Sequence, residues 1–157
     1  MICERTYDTD VIRSVLTDPE IFARISEAGL TDKHIVLDTQ KEAWLAMSDE
    51  VLIGAICLTP LNSVCVDIHV HILEDFRDDY AMDSMIETFK FFMGTDYEKI
   101  TASIPECHAD VCGFALKVGF KEEGLNRASY RRDGEIISQR LFGITRNEVS
   151  DFLDGAK

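Results

Sequence analysis

The clearest pattern in the chain lies at residues 63–73, where apolar and polar positions alternate. Val64, Val66, Ile68, Val70 and Ile72 fall on one face of a strand, and Cys65, Asp67, His69 and His71 fall on the other. Before it, residues 1–7 suit a first strand. Asp8 or Thr9 is placed to cap a short helix with Val11, Ile12, Val15 and Leu16 at helical spacing. Asp18-Pro19 starts a second helix with Ile21, Phe22 and Ile25 on its apolar face, and Gly29 is expected to end it. Strands at 42–48 and 51–58 flank an Asp49-Glu50 turn, and Pro60-Leu61-Asn62 makes another turn.

After the alternating strand, residues 80–93 read as an amphipathic helix carrying Met82, Met85, Ile86, Phe89 and Met93. A short strand at 99–104 and a helix at 109–118, closed by Gly119, follow. Residues 120–125 and 136–144 form a final antiparallel pair around an Asp133-Gly134 turn, and 146–153 a terminal helix. Strands that precede and interleave with helices predict an α+β fold with a mixed sheet. Without repeats or Gly/Ser/Pro-rich linkers, residues 1–157 read as a single domain.

Composition narrows the class. Hydrophobic residues are 46% of the 157, enough for one core without staples, and no apolar run approaches the ~20 residues of a membrane span. The first residues lack a basic region followed by an apolar stretch, so a soluble, cytoplasmic protein is expected. Cys3, Cys57, Cys65, Cys107 and Cys112 show no CxxC spacing and are expected to be reduced. The net charge of −13 repels phosphate backbones and anionic membranes, which argues against nucleic-acid and membrane partners and would attract a basic one.

Taken in order, these elements resemble the GNAT superfamily of acyl-CoA-dependent N-acyltransferases over nearly the whole chain. The likeness is nearest to the branch of ribosomal-protein N-terminal acetyltransferases. It is carried by Ile100-Thr101-Ala102-Ser103-Ile104-Pro105-Glu106-Cys107-His108, by Lys117-Val118-Gly119-Phe120-Lys121-Glu122-Glu123-Gly124, and by the ending Leu141-Phe142-Gly143-Ile144-Thr145. Asn62-Ser63-Val64-Cys65-Val66-Asp67-Ile68-His69 further resembles a phage-encoded subgroup. The resemblance implies a mixed, mostly antiparallel central sheet with helices on both faces. It also implies acetyl transfer from acetyl-CoA to an amine that the sequence does not identify.

The family holds the cofactor's pyrophosphate on backbone N–H groups in an Arg/Gln-x-x-Gly-x-Gly/Ala loop at a helix start, where the helix dipole favours anions. The matching segment is Phe76-Arg77-Asp78-Asp79-Tyr80-Ala81-Met82. Its close-approach glycine is missing in either register, and Asp78 and Asp79 add negative charge. Arg77, Asp78, Asp79, Tyr80 and Ala81 are the expected cofactor-facing residues, with Arg77 a single phosphate ligand, and acetyl-CoA binding is expected to be weak or absent. The resemblance places the carbonyl-polarising N–H near His71, Ile72 and Leu73, and the proton acceptor at Asp67, His69 or His71. His108 stands where the family often has a cofactor-contacting Asn, and Ala115 where it often has a Tyr acid.

Other readings stay open. Asp67, His69 and His71 suit a polar cluster paired inside the fold; as metal ligands they would lie in line with no fourth, so no metal is expected. A chain that had lost CoA would serve as a binding or assembly factor, for example in a phage particle among its structural proteins. The basic stretch Asn126-Arg127-Ala128-Ser129-Tyr130-Arg131-Arg132 would then pair with an acidic protein partner or a second copy of the chain.

Overall fold

The computed structural model describes residues 1–26 and 31–156. Within them is a seven-stranded sheet of order β1-β2-β3-β4-β5-β7-β6. The α+β class with a mixed, mostly antiparallel sheet is as the sequence predicts. The chain divides into two compact units.

The first unit comprises Met1–Pro60 and Ile68–Thr88. It contains β1 (Ile2–Thr6), α1 (Thr9–Leu16), α2 (Pro19–Ile25), β2 (Ala43–Asp49) and β3 (Val51–Pro60). It also holds the later part of β4 (Cys65–Ile72) and the first turns of α3 (Arg77–Met93). Both early helices start as their sequence dictates. The Asp8 carboxylate accepts from the N–H groups of Asp10 and Val11, and the Asp18 carboxylate from those of Glu20 and Ile21 with Pro19 next in line. Ile12, Val15, Leu16 and Ile21 pack against Trp44, Ala55 and Cys57 on one face of β2 and β3. The first turns of α3 lie near β1, where Ser84 Oγ donates to Met1 Sδ at 3.6 Å and Cys3 feels the charge of Glu87.

The bounds of α2 and α3 differ from the sequence reading. α2 stops at Ile25, which is exposed, so only Ile21 of its expected apolar face is buried. Gly29 lies outside the described residues. α3 begins at Arg77 rather than 80, because a 3-10 turn at Glu74–Phe76 feeds straight into it. Carboxylates in a first turn favour a helix start, so Asp78 and Asp79 belong to the helix rather than to a loop.

The second unit comprises Leu61–Asp67 and the chain from Phe89 onward. It contains β5 (Lys99–Pro105), α4 (Ala109–Lys117), β6 (Lys121–Arg132), β7 (Glu135–Thr145) and α5 (Arg146–Gly155). Phe89 meets Phe120 and, edge to face, Phe152, with ring centroids 6.2 and 5.5 Å away. Arg146 donates to the carbonyls of Met93, Thr95 and Tyr97 and so fixes the start of α5. Asp133 and Gly134 both have positive φ, the geometry of a two-residue hairpin turn, and β6 and β7 extend to meet it. β4 pairs with β5 in parallel through Cys65, Val66 and Asp67 only. Val64 precedes the strand and Val70 lies past that pairing, and both are exposed, so the apolar face expected of residues 63–73 is buried only at Val66, Ile68 and Ile72. Among the described residues no helix is long and apolar enough to cross a membrane.

Candidate functional site

The junction from the end of β4 into α3, inside the first unit, gathers most of the residues the sequence singles out. Its backbone is fixed by β3. The Leu73 N–H donates to the Ile53 carbonyl at 3.0 Å. Gly54 lies so close that a Cβ there would sit 2.3 Å from the His71 carbonyl oxygen and 2.9 Å from the Ile72 Cα. Only glycine permits that approach without moving the strand.

The two histidines of this strand end differ in environment. His69 is exposed. His71 is half-buried and stacks on Trp44, with ring centroids 6.2 Å apart and planes 22° from parallel. Desolvation, with the charge of His69 adding, pushes its pKa down to about 3, so its imidazole is neutral at pH 7. Ile72 is buried and Leu73 half-buried.

At the helix start, Arg77 is fully engaged. Its Nε donates to the Ile72 carbonyl at 3.0 Å, its Nη1 to Glu20 Oε1 at 2.8 Å, and its Nη2 to Glu20 Oε2. This is the two-pronged arginine–carboxylate geometry. The Arg77 guanidinium holds the Glu20 carboxyl below the usual carboxylate range, and Arg24, four residues along α2, adds to this. Asp78 and Asp79 are exposed, and Ala81 is half-buried. Tyr80 turns away, its hydroxyl donating to Asp49 Oδ2 at 2.7 Å. Glu20 is the residue that sequence reasoning missed. It sits 57 positions from Arg77, and no spacing rule connects an acid in the first turn of α2 with that arginine.

Asp67 and His108 belong to the second unit. Asp67 accepts a hydrogen bond from Thr101 Oγ1 at 3.1 Å. His108 occupies the N-cap position of α4 and is half-buried, its backbone N–H bonded to the Pro105 carbonyl. Ala115 and Cys112 of that helix are buried, and Cys107 is exposed. All five cysteines are thiols outside any disulfide. Among the described residues no three His, Cys, Asp or Glu side chains converge as a metal site.

A diphosphate cradle requires close backbone approach and unmatched positive charge. The start of α3 has neither. It lacks glycine, carries Glu74, Asp75, Asp78 and Asp79, and its arginine is neutralised by Glu20. In this arrangement it does not fit the pyrophosphate of CoA.

No protein-family model matches the chain, and no curated protein matches its sequence. Solved structures do match it. The spermidine N-acetyltransferase of Vibrio cholerae, in complex with CoA and spermine, superposes with a TM-score of 0.80 at 15% identity, covering 95% of this chain and 97% of that one. An acetyltransferase of the GNAT family from Streptococcus pneumoniae gives 0.72 at 13% identity, over 92% and 98%. At such identities the likeness is one of fold, and the fold is that of the GNAT acetyltransferases.

Proposed function

We propose that this chain is an amine N-acyltransferase that takes its acyl group from a CoA thioester and delivers it to a cationic amine, a reading set apart from the ribosomal-protein branch and the phage subgroup. The carrying observation is an exposed histidine, His69, on the strand of a GNAT-type fold that leads into the first long helix. The excess of carboxylates, 29 against 16 basic residues, favours a positively charged acceptor. The Vibrio cholerae neighbour, which holds spermine, supports the same class.

An ammonium must shed a proton before its nitrogen can attack a carbonyl, so such a site needs a proton acceptor. Of the three candidates, His69 suits this best, because its side chain is exposed at the end of the strand, where an incoming amine can reach it. Asp67 is second, its carboxylate already engaged by Thr101. His71 takes up a proton only near pH 3, too acidic to draw one from an ammonium at neutral pH. Its role is to pack against Trp44 and fix the strand end. Ile72 and Leu73 supply the backbone beside which the acyl carbonyl would lie, and Gly54 sets the position of that backbone.

The test is acetyl transfer from acetyl-CoA to a panel of primary amines and polyamines. His69→Ala is expected to lower the rate by about 10²-fold or more, with a smaller loss at high pH, where the amine deprotonates unaided. Unchanged rates in His69→Ala and Asp67→Asn would remove this strand from the chemistry. A second reading, a GNAT-fold binding protein without a cofactor, is favoured by the acidic, glycine-free start of α3, and a chain that binds neither CoA nor acetyl-CoA would support it.

A further inference from the structure

We infer that Glu20 is an internal anion seated on Arg77 in place of the cofactor's diphosphate, so that CoA binds only when α2 releases that arginine. The inference rests on the transferase reading above for the identity of the ligand and on the first unit alone for its geometry.

Arg77 is the sole lysine or arginine between Arg24 and Lys90 on α2 and the β4–α3 junction; Lys33 and Lys41 lie in the connection before β2. A guanidinium fork takes a carboxylate or a phosphate by the same pair of parallel N–H donors, so the two compete for one surface. Here both prongs go to Glu20, while Nε keeps the Ile72 carbonyl. The acidic residues around it, Glu74, Asp75, Asp78 and Asp79, would repel a diphosphate still further while Arg77 is neutralised.

The carrier of Glu20 is lightly anchored. α2 has seven residues, and Ile21 is its one buried side chain among those described. Ile25 faces solvent, and Glu20 is itself shared with Arg24 of the same helix. Arg24 stays within reach as an alternative partner when Glu20 leaves Arg77, so release does not strand the carboxylate. Two anions that exclude each other at one cation are linked reciprocally: what weakens Glu20's hold must tighten the ligand's, by the same factor.

The test is titration calorimetry with CoA on the wild-type chain, Glu20→Gln, Arg77→Gln and the double variant. Glu20→Gln is expected to bind CoA about 10-fold tighter than wild type or better, within the usual range of coupling between sites. Arg77→Gln is expected to weaken binding, and the double variant to bind no better than Arg77→Gln alone. Equal affinity in wild type and Glu20→Gln, or no binding in either, overturns the inference. So does a gain that persists in the double variant, since it would reflect only the loss of one negative charge. Should Glu20→Gln fail to fold, wild type still serves: saturating CoA is expected to speed amide hydrogen exchange at Phe22 and Ser26 of α2, and unchanged or slower exchange, or no binding of CoA at all, overturns it. Tighter CoA binding without acetyl transfer would sink the transferase and leave the latch standing. Acetyl transfer with equal CoA affinity in both proteins would do the reverse.

Discussion

Lowering the pH from about 7.5 to about 5 should destabilise the fold by about 2 kcal/mol through His71 alone. In the unfolded chain this imidazole titrates near its ordinary value of 6.5, and in the fold near 3. Between those values the unfolded chain binds a proton that the native one refuses. The contribution of His71 is therefore fully present above pH 6.5 and lost as the pH falls toward 3. At about pH 5 the unfolded state is favoured by about 1.5 pH units of protonation, or about 2 kcal/mol, whatever the native pKa below that point. For a chain of this size that is about 4–8 °C in melting temperature. The assay is denaturant unfolding at both pH values for wild type and His71→Phe, which keeps a flat ring against Trp44 and removes the titration. Glu20, Glu122 and Glu148, whose pKa values are lowered by Arg77, Arg140 and Thr145, also lose stabilisation in acid, but equally in both proteins. Wild type should lose about 2 kcal/mol more than the variant. Equal losses would show that His71 is solvated and refute its burial.

Gly54→Ala should cost about 1–3 kcal/mol in urea unfolding, because its Cβ would press on the His71 and Ile72 backbone rather than on a flexible side chain; an unchanged midpoint would mean that β3 and β4 do not approach so closely. Arg146→Lys should cost about 2 kcal/mol, since one ammonium cannot serve the three carbonyls of Met93, Thr95 and Tyr97 that the guanidinium spans; a loss within ~0.5 kcal/mol would mark those bonds as dispensable.

The parts of the fold legible in sequence are those set by local chemistry. Asp8 and Asp18 announce helix starts because a short carboxylate satisfies N–H groups two and three residues on. Asp133-Gly134 announces its hairpin because both residues tolerate positive φ. The register that sets Gly54 against His71 and Ile72 was not legible, since a glycine within an apolar run gives no sign of which backbone approaches it. Nor was the start of α3, where Asp78 and Asp79 read as loop or as helix until the preceding turn is seen. The site was half legible for the same reason. His69 and His71 share one polar face in the alternation, yet the structure leaves one exposed and half-buries the other beside Trp44, a partner 27 positions away. Glu20 and Arg77 meet through tertiary packing alone, so the arginine that looked free for phosphate is held by a carboxylate from another helix.

Acyl transfer to a cationic amine can be measured directly. The purified wild-type chain should be incubated with acetyl-CoA and a mixture of polyamines and primary amines. Acetylated amine should be followed by mass rather than by thiol release, because exposed Cys107 would react with thiol reagents. Acetylated product is expected to grow with enzyme concentration and to fall in His69→Ala. No product above the uncatalysed background, from wild type and from Glu20→Gln alike, would contradict it.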